Sequence, residues 1–407
     1  MLVKIRKVFV YLALAAVAIQ ASAMVRPDDP DAINPAEPSS TGSSVTWSTV
    51  LPLEEIFPSF VLTTSTFKPP TAPSPHYLGE PFGMIVFNVR TSAPNTKIHG
   101  FIQIDQLAQR SEFSYELPEA GQYRVSPKVN YNFQRLAAIL QPMTVNVSLS
   151  LSEEGRPAEP KAMSVRVRSV NDAVLSYKAA DGRTINEEWS LAGFVNENHP
   201  AIDTILREAL NLPVPIVRNF VGYQHGPDEV KNQVFAIWYL FQRQGFTYSS
   251  ITTPTGISSK AQSQYVRFIG DSLHTQQANC LDGTVLFASI LRRIGISPMI
   301  VLIPGHAFLG FFLDTQHRQV AFLETTAMNT PSNPYFNQRP SKFRDQMARV
   351  FHADFKLQKA SESFDQALAI GSENYSKAQG PLRAHQPGFQ ILEIDKMRQI
   401  GIQPINR

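Results

Sequence analysis

Apolar and polar residues alternate with a period of two along the first half of the chain. Phe82-Gly83-Met84-Ile85-Val86-Phe87-Asn88-Val89 is followed by Phe101-Ile102-Gln103-Ile104, and then by Met143, Val145, Val147, Leu149 and Leu151 with Thr, Asn and Ser between them. Ser164-Val165-Arg166-Val167-Arg168 repeats the pattern. Successive side chains of a strand point to opposite faces, so this spacing predicts strands with one buried face. Their separation by Gly, Pro and Asn turns predicts two packed antiparallel sheets.

From Asn171 to Leu191 the chain is a connection, and beyond it the period becomes helical. Ile202, Ile205, Leu206 and Leu210 share one face of a helix that opens at His199-Pro200 and stops before Pro213 and Pro215. A second helix starts at Pro227, with Asp228 and Glu229 in its first turn and Val230, Val234, Ile237, Trp238 and Phe241 on its apolar face up to Gly245. A Thr/Ser/Pro/Gly loop from Ser249 to Ser263 leads to a third helix, Leu281 to Ile294, which is apolar over most of its surface and ends at Gly295. Met299 to Ile303 forms a compact strand ending at Pro304-Gly305. His306 begins another that runs to Leu313, Asp314 to Arg318 is a turn, and Gln319 to Glu324 returns as a strand. Further helices are expected around Phe343, Met347, Val350, Phe351 and Phe355, and from about Ser361 to Leu368. Strands in one block and helices with a few strands in the next give an α+β chain. The expected organisation is an immunoglobulin-like β-sandwich over residues 46–175 and a second domain over residues 190–407 with a C-terminal helical extension.

Composition narrows the setting. A chain of 407 residues with 43% hydrophobic and 17% charged residues is a globular protein of about two domains. At its start, Lys4, Arg6 and Lys7 precede an apolar run from Val8 to Ile19, and Ala21-Ser22-Ala23 supplies a cleavage site. Residues 1–23 are therefore expected to be a signal peptide and 24–45, rich in Pro, Asp and Ser, a flexible leader. The alternative is a retained anchor, for which the run is short against the roughly 20 apolar residues of a spanning helix. No later segment is expected to be an integral membrane span, so the mature chain should be exported, periplasmic or secreted. A net charge of +3 without basic runs argues against a nucleic-acid partner. Nine histidines are scattered with no His-Glu-x-x-His and no cysteine pair, so neither a metal nor a nucleotide cofactor is expected. His199, His225 and His274 are expected to face solvent or cap helices.

Export changes the meaning of the single cysteine, Cys280, because exported proteins commonly use cysteines in pairs. Such a thiol is an intermolecular link, a buried inert side chain or a reactive group. Asn279 is placed to cap the third helix, which puts Cys280 in its first turn. There the helix dipole and the unpaired N–H groups favour thiolate and could hold an oxyanion. If the following hairpin centres near Thr315 and Gln316, His306 lies opposite Thr325 and next to Glu324, within reach of its carboxylate. Asp314 is a poor competitor, being eight residues of strand from His306, roughly 26 Å at about 3.3 Å per residue. The residues thus give Cys280 as nucleophile, His306 as general base and acid, and Glu324 as orienting acid.

Gln264-Tyr265-Val266-Arg267, Cys280-Leu281-Asp282, Gly305-His306-Ala307-Phe308 and Leu323-Glu324-Thr325-Thr326 together resemble the bacterial transglutaminase-like branch of the papain-like cysteine hydrolases. Phe220-Val221-Gly222-Tyr223-Gln224 and the tail from Ile394-Asp395 to Gly401-Ile402 extend the likeness from about residue 190 to the end. The resemblance implies a Cys at a helix start, a His on a strand and an acid on the next strand. It does not imply a substrate, since proteases, amidases, cross-linking enzymes and inactive relatives share the layout. The chain departs from cross-linking members in carrying Glu324 where they carry Asp. Gln264, Gln277 and Asn279 are candidates for a second oxyanion donor, each with a structural or rim role as the alternative. Arg267 either binds a substrate carboxylate or pairs with a local acid, and Asp282 is expected to serve the helix start. The function that follows is cleavage or transfer at an amide of a peptide or protein through an acyl-enzyme, the alternative being a silent scaffold that binds such a partner.

Overall fold

The structure, a computed structural model, describes residues 43–67, 74–179, 182–250, 258, 260–328 and 355–407. The expected signal peptide, nearly all of the leader, and the helical region around Phe343 to Phe351 lie outside the described residues. The chain is a mixed α+β protein. Among the described residues no helix is long and apolar enough to cross a membrane.

The alternating first half supplies eight strands: β1 (Val45–Val50), β2 (Tyr77–Gly79), β3 (Val86–Thr91), β4 (Thr96–Ile104), β5 (Ala108–Leu117), β6 (Gly121–Ser126), β7 (Met143–Glu153) and β8 (Lys161–Val167). They form two four-stranded sheets in the orders β1-β3-β6-β2 and β5-β4-β7-β8. In β7 the alternation translates directly into burial, with Val145, Val147, Leu149 and Leu151 inside. Phe87 of β3 meets Phe113 of β5 with ring centroids 5.3 Å apart, so the two buried faces share apolar contacts. Two short helices, α1 (Pro58–Thr64) and α2 (Phe133–Ala137), lie between these strands in sequence.

β9 (Asp172–Lys178) leaves this arrangement. It pairs with β10 (Thr184–Asn186), and on its other side with a strand from the second half of the chain, β12 (Ala261–Tyr265). The alternating pattern therefore runs past the end of the first pair of sheets, which stop at Val167. The physical reason is Arg168, whose side chain is fully buried. Its Nε donates to Asp172 Oδ2 at 3.0 Å, its Nη1 lies 3.3 Å from Glu55 Oε2, and its Nη2 donates to Ser263 Oγ at 3.3 Å. One guanidinium thus ties the end of β8 to β9 and β12. A single apolar cluster runs from Val45 to Ile405 across both halves.

The second half opens with a 3-10 turn, Glu188–Phe194, followed by α3 (Ala201–Leu210), α4 (Pro227–Arg243) and β11 (Thr247–Tyr248). After β12 come α5 (Ile269–Thr275), β13 (Gln277–Ala278) and α6 (Cys280–Arg293). Next are β14 (Pro298–Ile303), β15 (His306–Phe312) and β16 (Val320–Leu323), and then α7 (Phe355–Arg383), β17 (Gln390–Glu393) and α8 (Ile394–Gln399). The four later strands make an antiparallel sheet in the order β16-β15-β14-β17. α6 packs on β14 and β15, and α7 on β16. Trp238 of α4 contacts both Phe287 of α6 and Phe364 of α7, at 6.0 and 5.9 Å between centroids. Helix α7 runs to Arg383, well beyond the Leu368 that the apolar repeat indicates. Gly371, Ser372 and Asn374 are weak helix formers, and this part of the helix is held by the sheet, with Tyr375 stacked on Phe322 of β16 and Ala378 and Leu382 clustered with Met299 and Val301 of β14 and Phe308 of β15.

Removing Arg168 leaves Asp172 buried without the guanidinium that it pairs with and leaves Glu55 only the more distant Arg166, at 3.7 Å. Arg168→Ala should lower the unfolding free energy by about 3–5 kcal/mol, read from chemical denaturation.

Candidate active site

Helix α6 begins with a reciprocal cap. Asn279 Oδ1 accepts the Asp282 N–H at 2.8 Å, and Asp282 Oδ2 accepts the Asn279 N–H at 3.2 Å. Asp282 is buried and also accepts the Arg267 N–H on Oδ1 and Arg267 Nη1 on Oδ2, each at 2.8 Å. Burial pushes its carboxyl above the usual range against the pull of these bonds. The cap fixes Cys280 as the first residue of the helix, where its N–H has no intrahelical partner. The Cys280 carbonyl accepts Thr284 Oγ1 at 2.7 Å and Thr325 Oγ1 at 3.5 Å. Gly283 makes this approach possible, because a Cβ there would lie 2.7 Å from Thr325 Oγ1.

The imidazole is placed by a tight turn. Ile303 pairs with His306 across Pro304-Gly305, with Gly305 at φ 73° as the second central residue of a type II turn requires. His306 Nε2 lies 2.6 Å from Glu324 Oε2, and the Cys280 thiol hydrogen-bonds the same ring, which leaves Nδ1 for the sulfur. The hydrogen bonds to Cys280 and then to Glu324 outweigh burial and push the His306 pKa up to about 10. The imidazolium that results is the counter-charge a thiolate nucleophile needs.

The hairpin register differs by one residue from the sequence expectation. Leu309 pairs with Leu323 and Phe312 with Val320, so continuing the ladder sets Glu324 opposite Phe308 and His306 opposite Thr326 rather than Thr325. His306 and Phe308 are two apart on one face of β15, so this register puts Glu324 on the imidazole's face, whereas pairing with Ala307 would turn it away. The cause is Asp314. Its carboxylate accepts the N–H groups of Gln316, Arg318 and Gln319 and centres the turn on Gln316.

Glu324 is buried and accepts four hydrogen bonds: from His306 Nε2, from Asn374 Nδ2 at 3.2 Å on the same oxygen, and from Thr326 N and Oγ1 at 3.1 and 2.8 Å on Oε1. Of the sequence candidates, the structure brings Cys280, His306 and Glu324 together. The Asn279 side chain serves the helix cap, and Arg267 is paired with Asp282. Gln264 sits half-buried on β12 opposite Ala173, and Gln277 is exposed on β13 with its backbone opposite Thr247. Two residues at the site had no local signal. Asn374 lies 50 residues from Glu324 in sequence. Tyr248 is brought near by the parallel pairing of β11 with β13, is 42% exposed, and has its phenol pushed up by partial burial and by the acidic groups of Cys280 and Glu324. Among the described residues no group of three or more His, Cys, Asp or Glu side chains converges as metal ligands would.

The raised His306 pKa gives a signed pH dependence. Stability from the charged ring is complete below its ordinary 6.5 and is lost as pH rises toward about 10. Titration of the ring by NMR should show a midpoint near 10 in the native protein and a lower one in Glu324→Gln, still held up by the Cys280 contact, which is the larger cause. The stability gap between the two proteins should shrink over the same interval. Set against known proteins, the chain matches no family model and no curated protein.

Proposed function

We propose that the protein is an exported cysteine hydrolase or acyltransferase that acts on an amide of a peptide or protein substrate. In this reading its second half is a transglutaminase-like domain and its first half an immunoglobulin-like β-sandwich that presents or docks the substrate. The observation that carries the reading is the imidazole of His306 held between the Cys280 thiol and the buried Glu324 carboxylate. The motif order that resembles transglutaminase-like hydrolases supports the same assignment.

The reaction follows from the positions of the groups. Cys280 Sγ attacks the amide carbonyl carbon, and the carbonyl π electrons move to oxygen. The N–H of Cys280, which has no intrahelical partner at the start of α6, is the donor that this reading assigns to the oxyanion. His306 gives its Nδ1 proton to the amine nitrogen as the C–N bond breaks, leaving a thioester. Water or an acceptor amine then attacks that thioester, His306 takes a proton from the incoming group, and the C–S bond breaks. Glu324 holds Nε2–H throughout, so the ring keeps one tautomer and its cation is stabilised.

Iodoacetamide should alkylate Cys280 faster than a free model thiol near neutral pH, and an amide probe should leave an acyl group on that residue by mass spectrometry. Alkylation at the model-thiol rate with no acyl adduct would sink the enzymatic reading in favour of a silent, peptide-binding scaffold. Glu324→Gln should slow acylation by about 100-fold or more. Asp314→Asn, which keeps one acceptor oxygen for the turn, should lower stability by about 1–2 kcal/mol and slow acylation far less than Glu324→Gln does. Equal losses of rate would reject the assigned acid.

A further inference from the structure

The two oxygens of Glu324 are held from different places. Oε1 is satisfied within its own segment, by the N–H and hydroxyl of Thr326. Oε2 is satisfied only from other elements, by His306 of β15 and Asn374 of α7. A carboxylate anchored through one oxygen still turns about that anchor, and a second donor on Oε2 removes the freedom. The donor itself is fixed by the way α7 crosses the end of β16. Ala367 O accepts the Glu324 N–H at 3.0 Å, and a Cβ on Gly371 would lie 2.7 Å from the carbonyl of Phe322. Tyr375 stacks on Phe322 with centroids 4.0 Å apart. Ala367, Gly371 and Asn374 are spaced four and then three apart, along one face of the helix.

We infer that Asn374 is a positioning residue for the proposed site: by donating Nδ2–H to Glu324 Oε2 it sets the plane of the carboxylate, and so α7 is an integral part of the Cys280-His306-Glu324 arrangement. The inference rests on the reading of those three residues as the reactive group. It adds that the site is complete only when α7 is seated on β16, because the hairpin alone supplies no second donor for Oε2. Asn374 touches neither the sulfur nor a substrate; it acts through Glu324 on the direction in which His306 presents Nδ1.

The test uses the full chain and two readouts. The first is the proton resonance of the short His306–Glu324 hydrogen bond, expected far downfield in the native protein. The second is the rate of Cys280 alkylation by iodoacetamide. Asn374→Leu, which fills similar space without a donor, should broaden or shift that resonance upfield and slow alkylation by about 10- to 100-fold, the range for losing a hydrogen bond to a charged group. Asn374→Asp keeps the shape, cannot donate while ionised, and should recover part of the resonance and rate as acidification protonates it. Lys377→Ala, one turn along on the exposed side of α7, should change neither readout. Native resonance and rate in both Asn374 variants would overturn the inference. Should neither variant fold, solvent exchange of the Asn374 side-chain amide in the native protein decides: a slowed proton supports the bond, and exchange as fast as an exposed amide rejects it. Native Cys280 that alkylates no faster than a model thiol would instead remove the proposed function, while the resonance and its dependence on Asn374 would still judge the positioning role.

Discussion

Burying a carboxylate is costly unless every acceptor site finds a donor, and Glu324 imposes that demand on three separate parts of the second half. Thr326 satisfies it locally, His306 from the neighbouring strand, and Asn374 from a helix that follows in sequence only at Phe355. The residue before it, Leu323, ends β16, and the residue after it, Thr325, bonds the carbonyl of Cys280. β16, α6 and α7 are therefore fixed relative to one another through one short segment. Gly283 and Gly371 are the two places where a side chain would hold these elements apart.

A second buried acid does the same service for the sulfur. Asp282 closes the cap of α6 and holds Arg267 by both backbone and guanidinium, so the turn that carries Cys280 is fastened to the chain leaving β12. β12 is in turn paired with β9, and β9 is joined to the first pair of sheets by Arg168. The start of α6 is thus linked to the first pair of sheets through the Arg267–Asp282 pair, the pairing of β12 with β9 and the Arg168–Asp172 pair. Stability of the first half and geometry at the sulfur are physically connected, and both connections are ion pairs whose members are costly to bury alone.

The imidazole occupies the place where these constraints meet. Its two nitrogens face an acid and a thiol, and both contacts favour the charged ring, which explains why His306 keeps its proton far above the ordinary range despite partial burial. The phenol of Tyr248 beside the same two groups is displaced in the direction that nearby negative charge and desolvation require.

Much of this was legible in the sequence because it depends on neighbours in the chain. The alternation in β7, the cap at Asn279, the end of α6 at Gly295 and the Pro304-Gly305 turn are local rules of backbone geometry, and Cys280, His306 and Glu324 stood out by chemistry and order. Strand periodicity alone places the register one residue short, because three hydrogen bonds to the Asp314 side chain fix it. The length of α7 and the role of Asn374 were hidden for a related reason. Gly371 and Asn374 weaken a helix by propensity, and only the contact with the sheet repays that cost. The departure of β9 to pair with β12 had no signal either, since alternation tells which side of a strand is buried and says nothing about its partner. The sequence by itself singled out Cys280, His306 and Glu324 as the candidate groups and determined which elements hold them. Tertiary packing decided the pairing, the register and the remote donor, because those depend on contacts between residues far apart along the chain.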